Sequence, residues 1–212
     1  MAIVAEENLL ERLRRGDETA FEEVVGTYGP GLRRVARAYV PESLADEVVQ
    51  EAWLGFLNSL ERFEGRSSLK TWIYRILINT AKKKRARERR SVPFSSLAAV
   101  TDQDQPLVEP DRFLPADHLE SPGAWSSPPD SWRSIPESTL LSKEVMDVIK
   151  MTLADLPPAQ RQALILRDIE GFGSDEVRNF LGVTGTNQRV LLHRARSAVR
   201  SALEAYFKDE DD

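Results

Sequence analysis

Prolines at 106, 110, 115, 122, 128, 129 and 136, with Ser, Asp and Gly filling the gaps between them, forbid a long helix anywhere from about residue 95 to residue 140. That stretch therefore divides the 212-residue chain in two. On both sides of it apolar residues recur with the helical period, and no period-two strand pattern occurs. The expected fold class is all-α: two small helical domains, 1–95 and 141–212, joined by a long Pro-rich linker over 96–140. The linker carries Phe113, Trp125 and Trp132. Aromatics of that kind mark a docking sequence more readily than an idle tether.

Four helices are expected in the first domain. Residues 17–28 place Ala20, Phe21, Val24, Val25 and Tyr28 at helical spacing, with Asp17 as N-cap. Gly29, Pro30 and Gly31 are expected to break that helix, and Leu32, Val35, Ala36, Tyr39 and Val40 resume the pattern until Pro41. Ser43 is the expected cap of a third helix over 44–60, and a polar loop at 63–68 precedes a fourth. In the second domain Pro157 and Pro158 open a helix over 159–169, and Gly171 and Gly173 separate it from a short helix over 174–181. Gly182, Val183 and Thr184 form a tight turn before a last long helix ending near Phe207. Two helices joined by a short Gly-containing turn, the second basic, form a helix-turn-helix pattern.

Composition excludes several chemistries. The chain has no cysteine and two histidines, His118 and His193, far apart, so thiolate and His-based metal sites, disulfides and Cys nucleophiles are not expected. No phosphate-binding glycine loop or nucleophile–base arrangement is visible, so neither catalysis nor a cofactor is expected. No apolar run approaches the length of a bilayer span, and Glu6 and Glu7 follow directly on Ile3 and Val4, unlike a secretory leader. A cytoplasmic protein without membrane insertion is expected. The net charge of −5 conceals segregation: 82–90 and 189–200 are basic, whereas 100–137 and 209–212 are acidic.

Three surfaces could carry function. On the fourth helix Leu69, Trp72, Ile73, Ile76 and Leu77 gather on one arc, and Thr71, Tyr74, Arg75, Ile78, Lys82 and Arg85 on the opposite one, at about 100° per residue. Between Lys82 and Arg90 only Ala86 and Glu88 are not basic. This face suits a polyanion, and it equally suits a solvated helix end whose cations complement the dipole. The loop before it, with Phe63, Gly65, Arg66, Ser67 and Ser68, could hold an unstacked base or form only a turn and N-cap. On the last helix Arg189, His193, Arg196 and Arg200 lie opposite Leu191, Leu192, Ala195, Ala198, Val199, Ala202 and Leu203, with Thr186 nearby. No acidic residue occurs from Thr184 through Leu203, which favours DNA over a merely solvated face. The third helix sets Asp46, Glu47, Gln50, Glu51 and Asn58 opposite Ala45, Val48, Val49, Ala52, Trp53, Phe56 and Leu60. Leu54 stands in the middle of the polar side. It reads either as an ordinary exposed leucine or as the apolar centre of a contact with a basic partner.

The run Asp46, Glu47, Gln50, Glu51, Leu54, the block from Arg62 to Asn79 and the two blocks between Leu156 and Arg196 together resemble the extracytoplasmic-function (ECF) family of bacterial RNA polymerase sigma factors. The resemblance covers about 8–95 and 141–207. It implies a sigma-2-like domain before the linker and a sigma-4-like helix-turn-helix domain after it, followed by an acidic tail. It implies that Asp46, Glu47, Gln50, Glu51 and Leu54 dock on core RNA polymerase. It also implies that Phe63, Glu64, Arg66, Ser67, Ser68, Lys70, Thr71, Tyr74, Arg75, Asn79, Lys82 and Arg85 capture the melted minus-ten strand. Thr186, Asn187, Arg189, His193, Arg194, Arg196 and Arg200 would hold the duplex minus-thirty-five element. The helix opening at Thr184 differs from the family's usual sequence, so no promoter consensus is implied. Eight acidic residues against two arginines over 100–137 suit the positively charged polymerase channel through which the family threads this segment. A cognate anti-sigma factor is expected by the same analogy. The competing expectations are a stand-alone helix-turn-helix regulator and a sigma-like decoy for an anti-sigma factor.

Overall fold

The computed structural model describes residues 2–91 and 143–210, and every described element is helical. The expected linker, with Phe113, Trp125 and Trp132, lies outside those residues. In order, the helices are α1 (Ala2–Arg14), α2 (Glu18–Tyr39), α3 (Glu42–Ser59) with a 3-10 turn at Leu60–Arg62, α4 (Leu69–Ser91), α5 (Lys143–Asp155), α6 (Pro158–Leu164), α7 (Ser174–Leu181) and α8 (Gly185–Glu210). A single π-helical turn, Ile165–Ile169, extends α6. Two compact units result. Helices α1–α4 form one, together with Asp168–Glu176, and the remaining described residues form the other.

In the first unit α2, α3 and α4 pack on one another and α1 lies on α2. Asp17 caps α2 by accepting from the backbone N–H groups of Thr19 (2.9 Å) and Ala20 (3.3 Å). The bond from the Thr19 hydroxyl, with Arg12 second, holds its carboxyl well below the usual carboxylate range. Val24, Leu32, Val35, Val48, Phe56, Leu69 and Leu77 form the buried centre. An aromatic chain crosses it: Phe21 to Trp53 and Trp53 to Phe56 at 5.9 Å, Phe56 to Trp72 at 5.4 Å, and Trp72 to Phe63 at 4.5 Å.

Three sequence expectations fail here for physical reasons. The Gly29–Pro30–Gly31 run does not break the helix, because α2 continues through Pro30. Pro30 and Gly26 are exposed, so the carbonyl that loses its helical donor remains open to water. The third helix begins after Pro41 and not at a Ser43 cap. The far arc of α4 is open only in part: Thr71, Tyr74 and Ile78 are buried, while Arg75 and Lys82 are exposed. Part of what covers Tyr74 is Gly31, where an added Cβ would collide with the Tyr74 hydroxyl and lie 2.6 Å from a Glu170 carboxylate oxygen.

In the second unit α8 packs along α5 and α6. Leu156, Leu164, Ala195 and Ala198 make one apolar cluster, and Val145, Leu203 and Phe207 make another. The turn between α7 and α8 is closed by the Gly182 and Val183 amides, both donating to the Arg178 carbonyl at 2.8 and 3.2 Å. That closure requires Gly182 at φ 73°, a left-handed position that glycine adopts without a Cβ penalty. Thr184 then accepts from the Asn187 N–H at 3.2 Å and starts α8.

Phe56 is fully buried and touches two tryptophans. Phe56→Ala is expected to cost about 3–5 kcal/mol of stability, read from denaturant unfolding of the full chain. A loss under about 1 kcal/mol would show that the aromatic chain is not the centre of this core.

Candidate nucleic-acid interface

Helix α3 presents its acidic side outward because Ala45, Val48, Val49, Ala52 and Phe56 turn toward the core. Asp46, Glu47, Gln50 and Glu51 are exposed. Asp46 lies 3.9 Å from the Arg33 guanidinium, and Glu47 accepts from Lys84 at 2.6 Å. Leu54 is 59% exposed among these groups, and Leu57, which the periodicity did not single out, is 42% exposed beside it. The helix therefore offers two apolar side chains within an acidic and amide surround. Next to it Glu51, Thr80, Lys83, Lys84 and Arg87 line an open cleft of about 220 Å³, where α3 carboxylate meets α4 cation.

The residues expected to take the melted strand fall into three environments. Glu64 and Arg66 are exposed and paired with each other at 2.9 Å. Arg75, Asn79 and Lys82 are exposed along α4, and Arg85 is half-buried. Ser67 is half-buried, while exposed Ser68 caps α4, accepting from the Thr71 N–H at 3.1 Å and sharing a 2.8 Å hydrogen bond with its hydroxyl. Phe63 is buried against Trp72, and its carbonyl accepts from Arg14 at 2.8 Å. Its ring is spent on the core, so it fixes the loop and offers no stacking face.

Lys70, Thr71 and Tyr74 form the third environment, and all three engage Asp168–Glu176. Tyr74 donates to Glu170 at 2.6 Å and meets the Phe172 ring edge-on, 4.9 Å between centroids. Lys70 donates to the Glu170 carbonyl and stands 4.7 Å from the Phe172 centroid. Thr71 hydrogen-bonds the Glu176 carboxylate, and Arg34 ion-pairs with Glu170. Burial, reinforced by the adjoining Glu170 carboxylate, raises the Tyr74 pKa far above the ordinary phenol value, so the hydroxyl acts only as a neutral donor. Arg34, Glu170 and Phe172 were not singled out from sequence, and no local signal marks residues that meet across ninety-six positions or more.

On α8, Thr186, Asn187, Arg189 and Arg196 are exposed, and His193 and Arg194 are half-buried. Burial first, and the cations of Arg194 and Arg196 second, lower the His193 pKa below its ordinary 6.5. The imidazole is therefore neutral at neutral pH, able to donate and accept at a base edge but adding no charge toward phosphate. Val190 is 42% exposed on the same side. An apolar group there suits a thymine methyl, and the helical count, which puts it about 40° from Thr186, could have found it. Arg200 is different: it is 7% exposed, and its Nε donates to Glu204 at 2.9 Å. The angular count set it on the donor row, but the Glu204 carboxylate one turn on holds it against the unit.

These surfaces define a helical, two-unit protein with an exposed acid-and-leucine face on α3 and a helix-turn-helix whose second helix is open at its N-terminal end. The Sigma-70 region 2 family model matches residues 24–91, and the sigma-like domain of the response regulator PhyR matches residues 153–201. The chain is 30% identical over 200 residues to the ECF RNA polymerase sigma-E factor of Escherichia coli K12, covering 94% of this chain and 95% of that protein. It is also 30% identical to the RNA polymerase sigma-H factor of Pseudomonas aeruginosa, covering 96% of each. Among solved structures it is similar to CnrH in complex with the cytosolic domain of CnrY, with TM-score 0.54, 20% identity and coverage of 95% of this chain and 98% of that one. The sigma factor RpoE in complex with the anti-sigma factor NepR, from Bartonella quintana, gives TM-score 0.53 and 21% identity over 87% of this chain and 96% of that one. The chain belongs to the ECF family of RNA polymerase sigma factors. As such it binds core RNA polymerase and directs it to promoter DNA. No described helix is long and apolar enough to cross a membrane.

Arg200→Ala is expected to destabilise the full chain by about 1–3 kcal/mol, since it strips a buried charge-assisted hydrogen bond. Arg196→Ala, on the exposed face, should stay within about 0.5 kcal/mol. Denaturant titrations of the two variants compare them directly, and equal losses would contradict the placement of Arg200.

Proposed function

We propose that the chain initiates transcription through three separate faces, none of them catalytic. The α3 face docks core polymerase through Leu54, with Leu57 beside it and Asp46, Glu47, Gln50 and Glu51 as a charged rim. The observation that carries this reading is Leu54: a large apolar side chain, more than half exposed, surrounded by groups that a basic partner would pair. The α4 side, from Ser67, Ser68 and Lys70 through Thr71, Tyr74, Arg75 and Asn79 to Lys82 and Arg85, receives the minus-ten strand. Phe63 supports the loop, and Glu64 and Arg66 sit at its rim. The α8 face reads the minus-thirty-five duplex, with Thr186, Asn187, Arg189, Val190 and His193 toward bases and Arg194 and Arg196 toward phosphate.

The domain limits in this reading are 1–95 and 141–212, and the acidic 96–140 segment enters a positively charged path on the polymerase. Two of the similar solved structures are complexes, one of them with a named anti-sigma factor. A cognate protein inhibitor of this chain, competing for the same faces, is part of the proposal.

Leu54→Arg is expected to weaken association with core polymerase at least about tenfold, as truncation of a central anchor does. Binding of the labelled full chain to purified core enzyme measures it, and an unchanged affinity would remove α3 from the interface. Arg196→Ala should weaken duplex binding evenly across sequences and lower the salt slope by about one. Arg189→Ala should change the preferred sequence. Binding to a promoter library at several salt concentrations separates the two, and identical behaviour would refute the division between base and phosphate contacts.

A further inference from the structure

We propose that Asp168–Glu176 is a built-in competitor for single-stranded DNA, held on the α4 face that the minus-ten strand would occupy and released when DNA is captured. This rests on the reading that Lys70, Thr71 and Tyr74 contact that strand.

The segment offers this face the chemistry of a nucleotide. One Glu170 oxygen pairs with Arg34, and the other accepts from Tyr74 at 2.6 Å. A phosphate would present the same two anionic acceptors. The Phe172 ring lies 4.7 Å from the Lys70 ammonium and edge-on to Tyr74, as a flat π-system held by a cation and an aromatic neighbour. An unstacked base uses those same contacts. Glu176 supplies a second carboxylate, to Thr71, and is itself fixed by the Gly173 N–H at 2.8 Å.

The fit is built into the chain at several points. The Glu170 side chain is only 7% exposed although it is charged, so its acceptors must be satisfied where it sits. Gly31 leaves the room that the Tyr74–Glu170 pair needs. Gly171, at φ 73°, turns the chain so that the Glu170 carboxylate and the Phe172 ring both reach α4.

The contacts are also of a kind that DNA can replace. Arg34 is 45% exposed, so its pair with Glu170 is screened by water and salt. A strand brings several phosphates, each releasing counterions as it binds, and one segment of chain cannot match that yield. Closed, the segment contacts Thr71 and Tyr74, which are 5% and 1% exposed, and engages the Tyr74 hydroxyl. A face that is mostly covered binds DNA with an affinity reduced by the fraction left open.

The test measures binding of a fluorescent randomised single-stranded oligonucleotide pool to the full chain by anisotropy, with transcription from core polymerase scored in parallel. Arg34→Glu and Glu170→Arg each set like charges against each other and should raise affinity about tenfold, as a roughly ten-to-one closed population requires. The first makes the chain more negative and the second more positive, so a rise in both cannot come from net charge. Combining them restores an opposite pair and should return affinity to that of the unaltered chain. If both single variants bind like the unaltered chain while all support transcription, the competitor is refuted and the sigma-factor reading stands. If the unaltered chain and the combined variant both fail to drive transcription with core enzyme, the underlying reading falls and takes the competitor with it.

Discussion

The aromatic chain that joins Phe21, Trp53, Phe56, Trp72 and Phe63 sets the orientation of everything functional in the first unit. Rings of this size dominate the area a small helical core can bury, and these five lie on α2, α3, α4 and the loop between the last two. Fixing Trp53 and Phe56 inward turns Asp46, Glu47, Gln50, Glu51 and Leu54 outward as a set, because helical geometry leaves them nowhere else to point. Fixing Trp72 rotates α4 so that Lys70, Thr71 and Tyr74 lie on its other side. The two faces are thus consequences of one packing decision, and a change in the core would be felt at both.

Charge segregation is the second constraint. A chain with a net charge of −5 must hold DNA through local fields, and the cations that do so must not be spent on its own carboxylates. Arg189 and Arg196 lie exposed on the acid-free stretch of α8. Arg200 is buried and paired with Glu204 one turn later. Lys84 is likewise drawn to Glu47, and that bond raises its pKa. The basic run 82–90 is therefore less uniform than its composition: Lys84 ties α4 to α3, while Lys82 and Lys83 remain exposed.

How far the sequence shows this depends on the range of the interaction. The limits of α7, the inward arc of α3 and the start of α8 follow from periodicity and turn chemistry within a few residues, and those expectations match the structure. Pro30 misleads because its local cost is real, yet Gly26 and Pro30 face water and the buried Leu32, Val35 and Ala36 repay the helix for continuing. Tyr74 misleads for the opposite reason. By angle it belongs with the polar arc, and its contacts with Glu170 and Phe172, together with the close approach of Gly31, place it indoors. Phe63 looked available because an aromatic residue in a polar loop has no local partner. Trp72, nine positions on, supplies one that periodicity within α4 alone does not reveal.

Burial of Glu170 joins these threads. A carboxylate removed from water is tolerable only if each acceptor is met, and removing one partner leaves a charge that the rest cannot solvate. Arg34 and Tyr74 meet that need from two helices, and Gly31, having no Cβ, leaves room for the Tyr74 hydroxyl and the Glu170 carboxylate. A core built for stability alone would place apolar atoms there, since packed hydrocarbon matches or exceeds a buried ion pair. A polar, half-screened contact on the same side chains that suit a phosphodiester strand makes physical sense where the contact must be broken as well as made. The low net worth of such pairs then becomes useful: the covering segment holds its place firmly enough to be populated and loosely enough to yield to a ligand carrying more negative charge.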